Sequence, residues 1–186
     1  MAVKHWIFVP CLLALSAPLV FAQSKYTAVR KADFQVGVDY VGGKSDYAPN
    51  LRGAGLYTTL DFTQHWGAEF DLHQADIQDT KIYERSYEIG GRYHREYGRV
   101  SPYLKGMVGR GVFNFAQGDV TYANLAYNMF ALGAGVDIRL TRYLNARGDY
   151  EWQNWRGFPP NGLTPQLFSI GVAYHLPGGL KRGQHY

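Results

Sequence analysis

Polar and apolar residues alternate with a period of two in eight separate segments of the chain. The first begins at Asp33, with Phe34, Val36, Val38 and Tyr40 on one face and Asp33, Gln35, Gly37 and Asp39 on the other. In the second, Ala54, Leu56, Thr58, Leu60 and Phe62 oppose Gly55, Tyr57, Thr59 and Asp61. The third sets Trp66, Ala68, Phe70 and Leu72 against Gly67, Glu69, Asp71 and His73. The fourth sets Tyr83, Tyr87, Ile89, Gly91 and Tyr93 against Glu84, Ser86, Glu88, Gly90 and Arg92, with Arg85 in the apolar register. The fifth, 100–112, is the least regular: Pro102, Leu104, Gly106 and Val108 face away from Ser101, Tyr103, Lys105 and Met107. In the sixth, Phe130, Leu132, Ala134, Val136 and Ile138 oppose Ala131, Gly133, Gly135, Asp137 and Arg139. The seventh divides Leu144, Ala146, Tyr150 and Trp152 from Asn145, Arg147, Asp149, Glu151 and Gln153. The eighth divides Phe168, Ile170, Val172, Tyr174 and Leu176 from Ser169, Gly171, Ala173 and His175. Helical spacing fits none of these as well, because only a strand sends successive side chains to opposite faces.

Each segment supplies the roughly 9–11 tilted residues that a strand needs to cross a bilayer. The connections alternate in length. Those at 44–52, 75–82, 113–127 and 154–165 are long, and those at 63–65, 94–99 and 141–143 are short. The pattern predicts an all-β fold, an eight-stranded antiparallel transmembrane up-and-down β-barrel over residues 33–176, with both termini on the short-turn side.

Periodicity alone does not say which face points outward, and a soluble lipocalin-like barrel would enclose the apolar set around a ligand. The polar register decides for the membrane. It gathers Glu69, Asp71, His73, Glu84, Glu88, Arg92, Lys105, Asp137, Arg139, Arg147, Asp149 and Glu151, together with glycines that leave room for long side chains to cross a narrow interior. We expect these residues to form a lumen network of hydrogen bonds and ion pairs, with Asp137 meeting Arg139 and Arg147 meeting Asp149 and Glu151. Tyrosine, at 15 residues, outnumbers the 10 Phe and 4 Trp, which suits a wet–apolar boundary more than a dry core. Two aromatic girdles are expected: Trp66, Tyr93, Tyr97, Tyr143 and Tyr174 at the end carrying the termini, and Tyr40, Tyr83, Trp152, Trp155 and Phe168 at the other. A helical membrane protein is excluded because the charge-poor stretch 157–180 carries Pro159, Pro160, Pro165 and Pro177.

The chain ends change the picture little. Lys4 and His5 precede an apolar run from Trp6 to Phe21 that closes on Val20-Phe21-Ala22, so residues 1–22 are expected to be a cleaved secretory signal. The run, interrupted by Pro10 and Pro18, is shorter than the roughly 20 residues of a spanning helix. Residues 23–32 follow as a periplasmic segment and 177–186 as a C-terminal tail. Cys11, the only cysteine, lies inside the signal, so the barrel has no disulfide and no thiolate metal site. The net charge of +4 is scattered, which argues against nucleic acid.

At this point the chain resembles the OmpA-like outer-membrane β-barrel family of Gram-negative bacteria, over essentially all of the mature sequence. The last strand carries the most specific likeness: Ser169-Ile170-Gly171-Val172-Ala173-Tyr174-His175-Leu176 looks like that family's assembly signal, with Gly171, Tyr174 and Leu176 as its marks. The resemblance implies the cell outer membrane, contact with its lipids including lipopolysaccharide, and recognition of the last strand by the barrel-insertion machinery. The ten residues after Leu176 depart from the usual ending. A periplasmic peptidoglycan-binding domain is therefore not expected.

Candidate chemistry is sparse. Some barrels of this kind modify lipid A, but the His-x-Ser pair of the deacylases does not occur, and Ser169 and His175 lie roughly 20 Å apart along a strand. Glu69, Asp71 and His73 share one register but are read as part of the lumen network, so neither a metal, a cofactor nor a catalytic residue is expected. The long connections, with Asp46, Tyr47, Arg52, Asp119, Tyr122, Trp155 and Arg156, are where a surface ligand would bind. Lys81, Arg85, Arg110 and Arg156 are placed to meet lipopolysaccharide phosphates. The expected role is structural or surface-interactive, with a plugged polar lumen; a narrow channel, a lipid A-modifying enzyme and a soluble ligand binder are the alternatives.

Overall fold

In a computed structural model of the protein, residues 33–46, 50–77, 82–117, 120–159 and 161–176 are described. The expected signal, periplasmic segment and tail lie outside these residues, as do Tyr47, Lys81 and Asp119 of the loops. Eight strands follow one another: β1 Asp33–Lys44, β2 Leu51–Asp61, β3 Trp66–Ile77, β4 Tyr83–His94, β5 Val100–Gln117, β6 Val120–Arg139, β7 Leu144–Arg156 and β8 Gln166–His175. Each pairs antiparallel with its neighbours in sequence, and β1 pairs with β8 from Gln35↔His175 to Lys44↔Gln166, so the sheet closes. Closure matters because hydrocarbon offers no partner to an unpaired backbone amide or carbonyl.

The two-residue alternation survives as alternating exposure. In β7 every second residue from Asn145 to Trp155 is buried while those between are half-exposed. In β8 Leu167, Ser169, Gly171 and Ala173 face inward, and Ile170 stands out at 75 % exposed. Val38, Leu104, Val108 and Leu132 are likewise exposed on the outer wall, as lipid contact requires and a soluble surface would not tolerate so densely.

The short turns reuse one device. Thr63 Oγ1 accepts hydrogen bonds from the backbone N–H of His65 at 3.3 Å and of Trp66 at 2.8 Å. Thr141 Oγ1 does the same for Tyr143 at 3.2 Å and Leu144 at 3.1 Å. Each hydroxyl thus satisfies donors that the tight reversal strips of sheet partners. The third turn, between β4 and β5, places Gly98 at φ 66°, a left-handed position that glycine accepts without strain.

One connection differs from expectation. The stretch 113–127 is not an irregular loop: β5 and β6 continue through it, paired as far as Gln117↔Val120, with a register shift between Phe115 and Ala116. Pairing of β5 with β4 stops at Phe113 and that of β6 with β7 at Asn128. The extra residues therefore form a two-stranded ribbon that stands beyond the barrel. Phe113-Asn114-Phe115 and Tyr127 favour strand, and no Gly or Pro interrupts the run between 114 and 117.

Candidate functional site: the barrel interior and its loop-end rim

The polar register converges on the barrel axis. Glu69 on β3 lies at its centre, with Arg92 Nη1 and Arg147 Nη1 each 3.0 Å from Oε2 and Lys105 Nζ 3.4 Å from Oε1. Asp137 bridges the two guanidinium groups, at 2.7 Å from Arg92 Nη2 and 2.7 Å from Arg147 Nε. Lys105 meets Asp71 at 2.7 Å, Asp149 at 3.0 Å and Glu151 at 2.9 Å. Thr59 donates to Glu69 at 3.0 Å, and the Tyr103 hydroxyl donates to Asp149. Both guanidinium planes rest on rings: Arg147 lies 4.0 Å from the Tyr57 centroid, and Arg92 lies 4.4 Å from that of Tyr103. Such a set tolerates burial because nearly every charge faces an opposite charge and a hydrogen bond.

Fitting two long aromatic chains into so narrow an interior requires space opposite them. A Cβ at Gly37 would run into the Tyr57 ring, and one at Gly111 would run into the indole of Trp155. These inward glycines are what allow inward tyrosine and tryptophan.

The structure brings together most of the residues of the expected lumen network, but in different pairs. Asp137 binds Arg147 and Arg92, not Arg139, which sits half-buried near the terminal end and joins none of these ion pairs. Arg147 binds Asp137 and Glu69, while Asp149 and Glu151 turn to Lys105. Neighbours two apart on one strand point the same way, but the ion pairs form between strands: Asp137 lies directly opposite Arg147 on β7, and Arg147 in turn reaches Glu69 on β3. Glu84 is inward and buried, yet it lies toward the loop end and accepts a hydrogen bond from Ser45 at 2.6 Å, away from the cations. His73 and Glu88 sit above the Lys105 group. Gln153 donates there to Glu88 at 2.9 Å and to Glu151 at 2.7 Å.

Beyond Gln153 the interior changes character. Val41, Leu51, Ala75 and Leu167 form one apolar cluster, and Met107, Phe113, Met129, Ala131, Trp155, Phe158 and Leu163 form another. Trp155 was expected in the outer girdle and is instead 1 % exposed, its indole N–H donating to Gln153 Oε1 at 2.8 Å. It shares the odd-numbered register of Arg147, Glu151 and Gln153, so its direction follows from alternation rather than from its residue type. Phe158, in the loop after β7, packs on Phe113, Phe115 and Tyr127 with centroids 5.1, 5.9 and 4.9 Å away.

The remaining aromatic residues lie on the outer wall. At the terminal end Trp66 and Tyr93 meet edge to face at 5.1 Å, and Tyr143 stacks with Tyr174 at 6.2 Å. Toward the loop end Trp152 meets Phe130 at 5.6 Å and Tyr150 meets Phe168 at 4.7 Å; Tyr40 is exposed. Tyr83 accepts a hydrogen bond from Asn124 at 3.0 Å and lies beneath Arg85. Above this wall runs a collar of outward cations on five strands: Lys44, Arg52, Arg85, Arg110 and Arg156.

At the assembly-signal end of β8, Tyr174 and Leu176 are exposed, while Gly171 faces inward where a Cβ would strike the Val38 carbonyl and Asp39. Ser169 is buried in the lumen, and His175 faces Asp33 Oδ2 at 3.0 Å, so the two do not form a nucleophile and base.

The sequence matches the family described as outer membrane protein beta-barrel domain over residues 7–175. The chain belongs to that family. No curated protein matches it. Among solved outer-membrane barrels, Ail, the attachment invasion locus protein of Yersinia pestis, is 17 % identical, with a TM-score of 0.57 over 79 % of this chain and 99 % of Ail. Ail has also been solved in complex with the heparin analogue sucrose octasulfate, at 18 % identity and a TM-score of 0.56 over 79 % of this chain and 99 % of that one. Neisserial surface protein A is 12 % identical, with a TM-score of 0.58 over 78 % of this chain and 97 % of its own. The N-terminal barrel of Pseudomonas aeruginosa OprF is 14 % identical, with a TM-score of 0.56 over 76 % and 97 %. This is an outer-membrane protein, and the strands rather than any helix carry it across the bilayer. The soluble lipocalin-like alternative is set aside by the family and by the exposed apolar wall.

Proposed function

We propose that this outer-membrane barrel is a non-catalytic surface-interaction protein, exported on residues 1–22, whose interior is closed by its own side chains and whose loop-end collar binds lipopolysaccharide. The carrying observation is the segregation of charge. The buried lumen charges face one another inside, whereas Lys44, Arg52, Arg85, Arg110 and Arg156 stand outside at one height, facing the lipid headgroups. The Arg110 backbone pairs with Tyr87 and Asn128, and Asn128 pairs with Arg156, so Arg110 and Arg156 lie two strands apart on one outer face. Such spacing suits the phosphate groups of a lipid A headgroup, which guanidinium binds in bidentate fashion.

On this reading the loop end faces the cell exterior, and the aromatic girdles settle the barrel at the two interfaces. The outward side chains of Tyr174 and Leu176 at the end of β8 serve the insertion machinery. The projecting β5–β6 ribbon presents exposed Tyr122 and Leu125 to partners outside the cell. Ser169 is buried in the lumen and His175 faces Asp33, so this reading gives neither a catalytic role, and no cofactor is invoked.

The test is lipopolysaccharide retention by barrels refolded in detergent, measured by light scattering and by phosphate assay of the purified complex. The unaltered barrel retains lipopolysaccharide, and the double variant Arg110→Glu and Arg156→Glu retains several-fold less. Equal retention by both proteins, or lipid A recovered with fewer or additional acyl chains, contradicts the proposal.

A further inference from the structure

Among the described residues, the interior holds more carboxyl groups than arginine and lysine side chains to pair with them. Apart from Glu84, which binds Ser45 near the loop end, the buried carboxylates are Asp39, Glu69, Asp71, Glu88, Asp137, Asp149 and Glu151, against Arg92, Lys105 and Arg147. The two arginines are committed to Glu69 and Asp137. The excess collects one layer above, where His73 on β3, Glu88 on β4 and Glu151 on β7 each place a donor atom within 4.8 Å of the others.

Each of the three side chains has a buried atom without a hydrogen bond; for Glu151 it is Oε2, which still pairs with Lys105 at 2.9 Å. Glu88 is 1 % exposed, and its Oε2 has no hydrogen bond. His73 Nδ1 is also buried without one: it lies 3.8 Å from Glu88 Oε1, while Nε2 lies 3.7 Å from Asp39 Oδ2. Those separations exceed hydrogen-bond length, and leaving such groups unsatisfied is costly. Meanwhile Gln153 ties Glu88 Oε1 to Glu151 Oε1 and so fixes the two carboxylates side by side.

We propose that His73, Glu88 and Glu151 form an intralumenal site for a divalent transition-metal cation, with Asp39 as the positioning residue behind His73. One imidazole nitrogen with carboxylate oxygens suits Zn²⁺, Mn²⁺ or Fe²⁺. A carboxylate behind the second ring nitrogen is the arrangement that fixes the tautomer of a ligating histidine. The cation supplies the positive charge that the layer lacks and cross-links three strands through the centre of the barrel. The apolar roof above and the arginine layer below make loading during folding the natural route.

The full barrel, produced without an affinity tag, is stripped with chelator in urea and refolded into detergent with Zn²⁺ or Co²⁺, then desalted. One equivalent of Zn²⁺ stays with each folded chain, and Co²⁺ gives the visible bands of a coordinated ion. Glu88→Gln, which keeps the contact with Gln153, and His73→Gln each abolish retention, and Asp39→Asn weakens it by roughly 10–100-fold. His65→Gln, at the far end of the barrel, leaves it unchanged. The heat-dependent gel shift shows which variants have folded. Unaltered barrel that retains no Zn²⁺ overturns the proposal and leaves a shared proton between His73 and Glu88 as the balancing charge. Folded Glu88→Gln and His73→Gln proteins that retain a full equivalent overturn it as well.

Discussion

The barrel interior is built in two ways along one axis. Around Glu69 it is a lattice of ion pairs among Arg92, Lys105, Asp137 and Arg147, whereas from Trp155 to the loop end it is an apolar roof of Met107, Phe113, Phe158 and Leu163. The lattice lies level with the lipid-facing wall, and its side chains are buried, so each charge gains from an opposite charge beside it. The roof lies where the loops fold over the mouth and can use the ordinary means of a small hydrophobic core. The contrast teaches that one alternating register serves two environments: position along the strand sets whether an inward residue joins the ion pairs or the apolar cluster, with Glu84, held by Ser45 near the loop end, as the exception.

The comparison predicts unequal responses to substitution. Removing one lattice cation leaves its partners buried and unpaired, so Arg147→Met, which strands Glu69 and Asp137, is expected to destabilise the barrel by about 3–5 kcal/mol. Urea titration of the folded band on gels would read this, and a loss below about 1 kcal/mol would mean that the lattice relaxes or admits water. Truncating the roof costs less, because the loops can settle into the gap. Leu163→Ala, at a residue with 0 % exposure, is expected to cost about 2 kcal/mol in the same titration. Deleting one neutral donor is the mildest change. Tyr103→Phe removes the hydrogen bond to Asp149 while Lys105 still pairs with that carboxylate, for a loss of about 1 kcal/mol.

The fold was legible in the sequence because a lipid-facing wall imposes alternation on the strands, least regularly on the fifth, and the tight turns at Thr63 and Thr141 mark where it reverses. That most of the charged register turns inward was legible for the same reason, although Arg139 joins none of the ion pairs and Glu84 lies apart from the cations. Partners were not: Asp137 and Arg139 share a register, yet Asp137 lies directly opposite Arg147 in the β6–β7 pairing and reaches Arg92 on β4, and a single strand encodes neither. Trp155 shows a different failure. Its amphipathic ring suggested an interface, and the parity it shares with Gln153 pointed inward; parity was the better guide. The ribbon beyond Phe113 was missed because alternation weakens once the strands leave the bilayer and neither face is held in hydrocarbon. His73 was grouped with Glu69 and Asp71 along one strand, although it meets Glu88 and Glu151, which come from β4 and β7.

The central claim, that lattice and roof together fill the interior, is tested most directly by single-channel recording of the refolded barrel in planar bilayers. The account predicts an electrically silent protein, with no steady conductance steps above those of the bare bilayer. Regular open steps from the unaltered barrel would contradict it and would make the lattice the lining of a conduit.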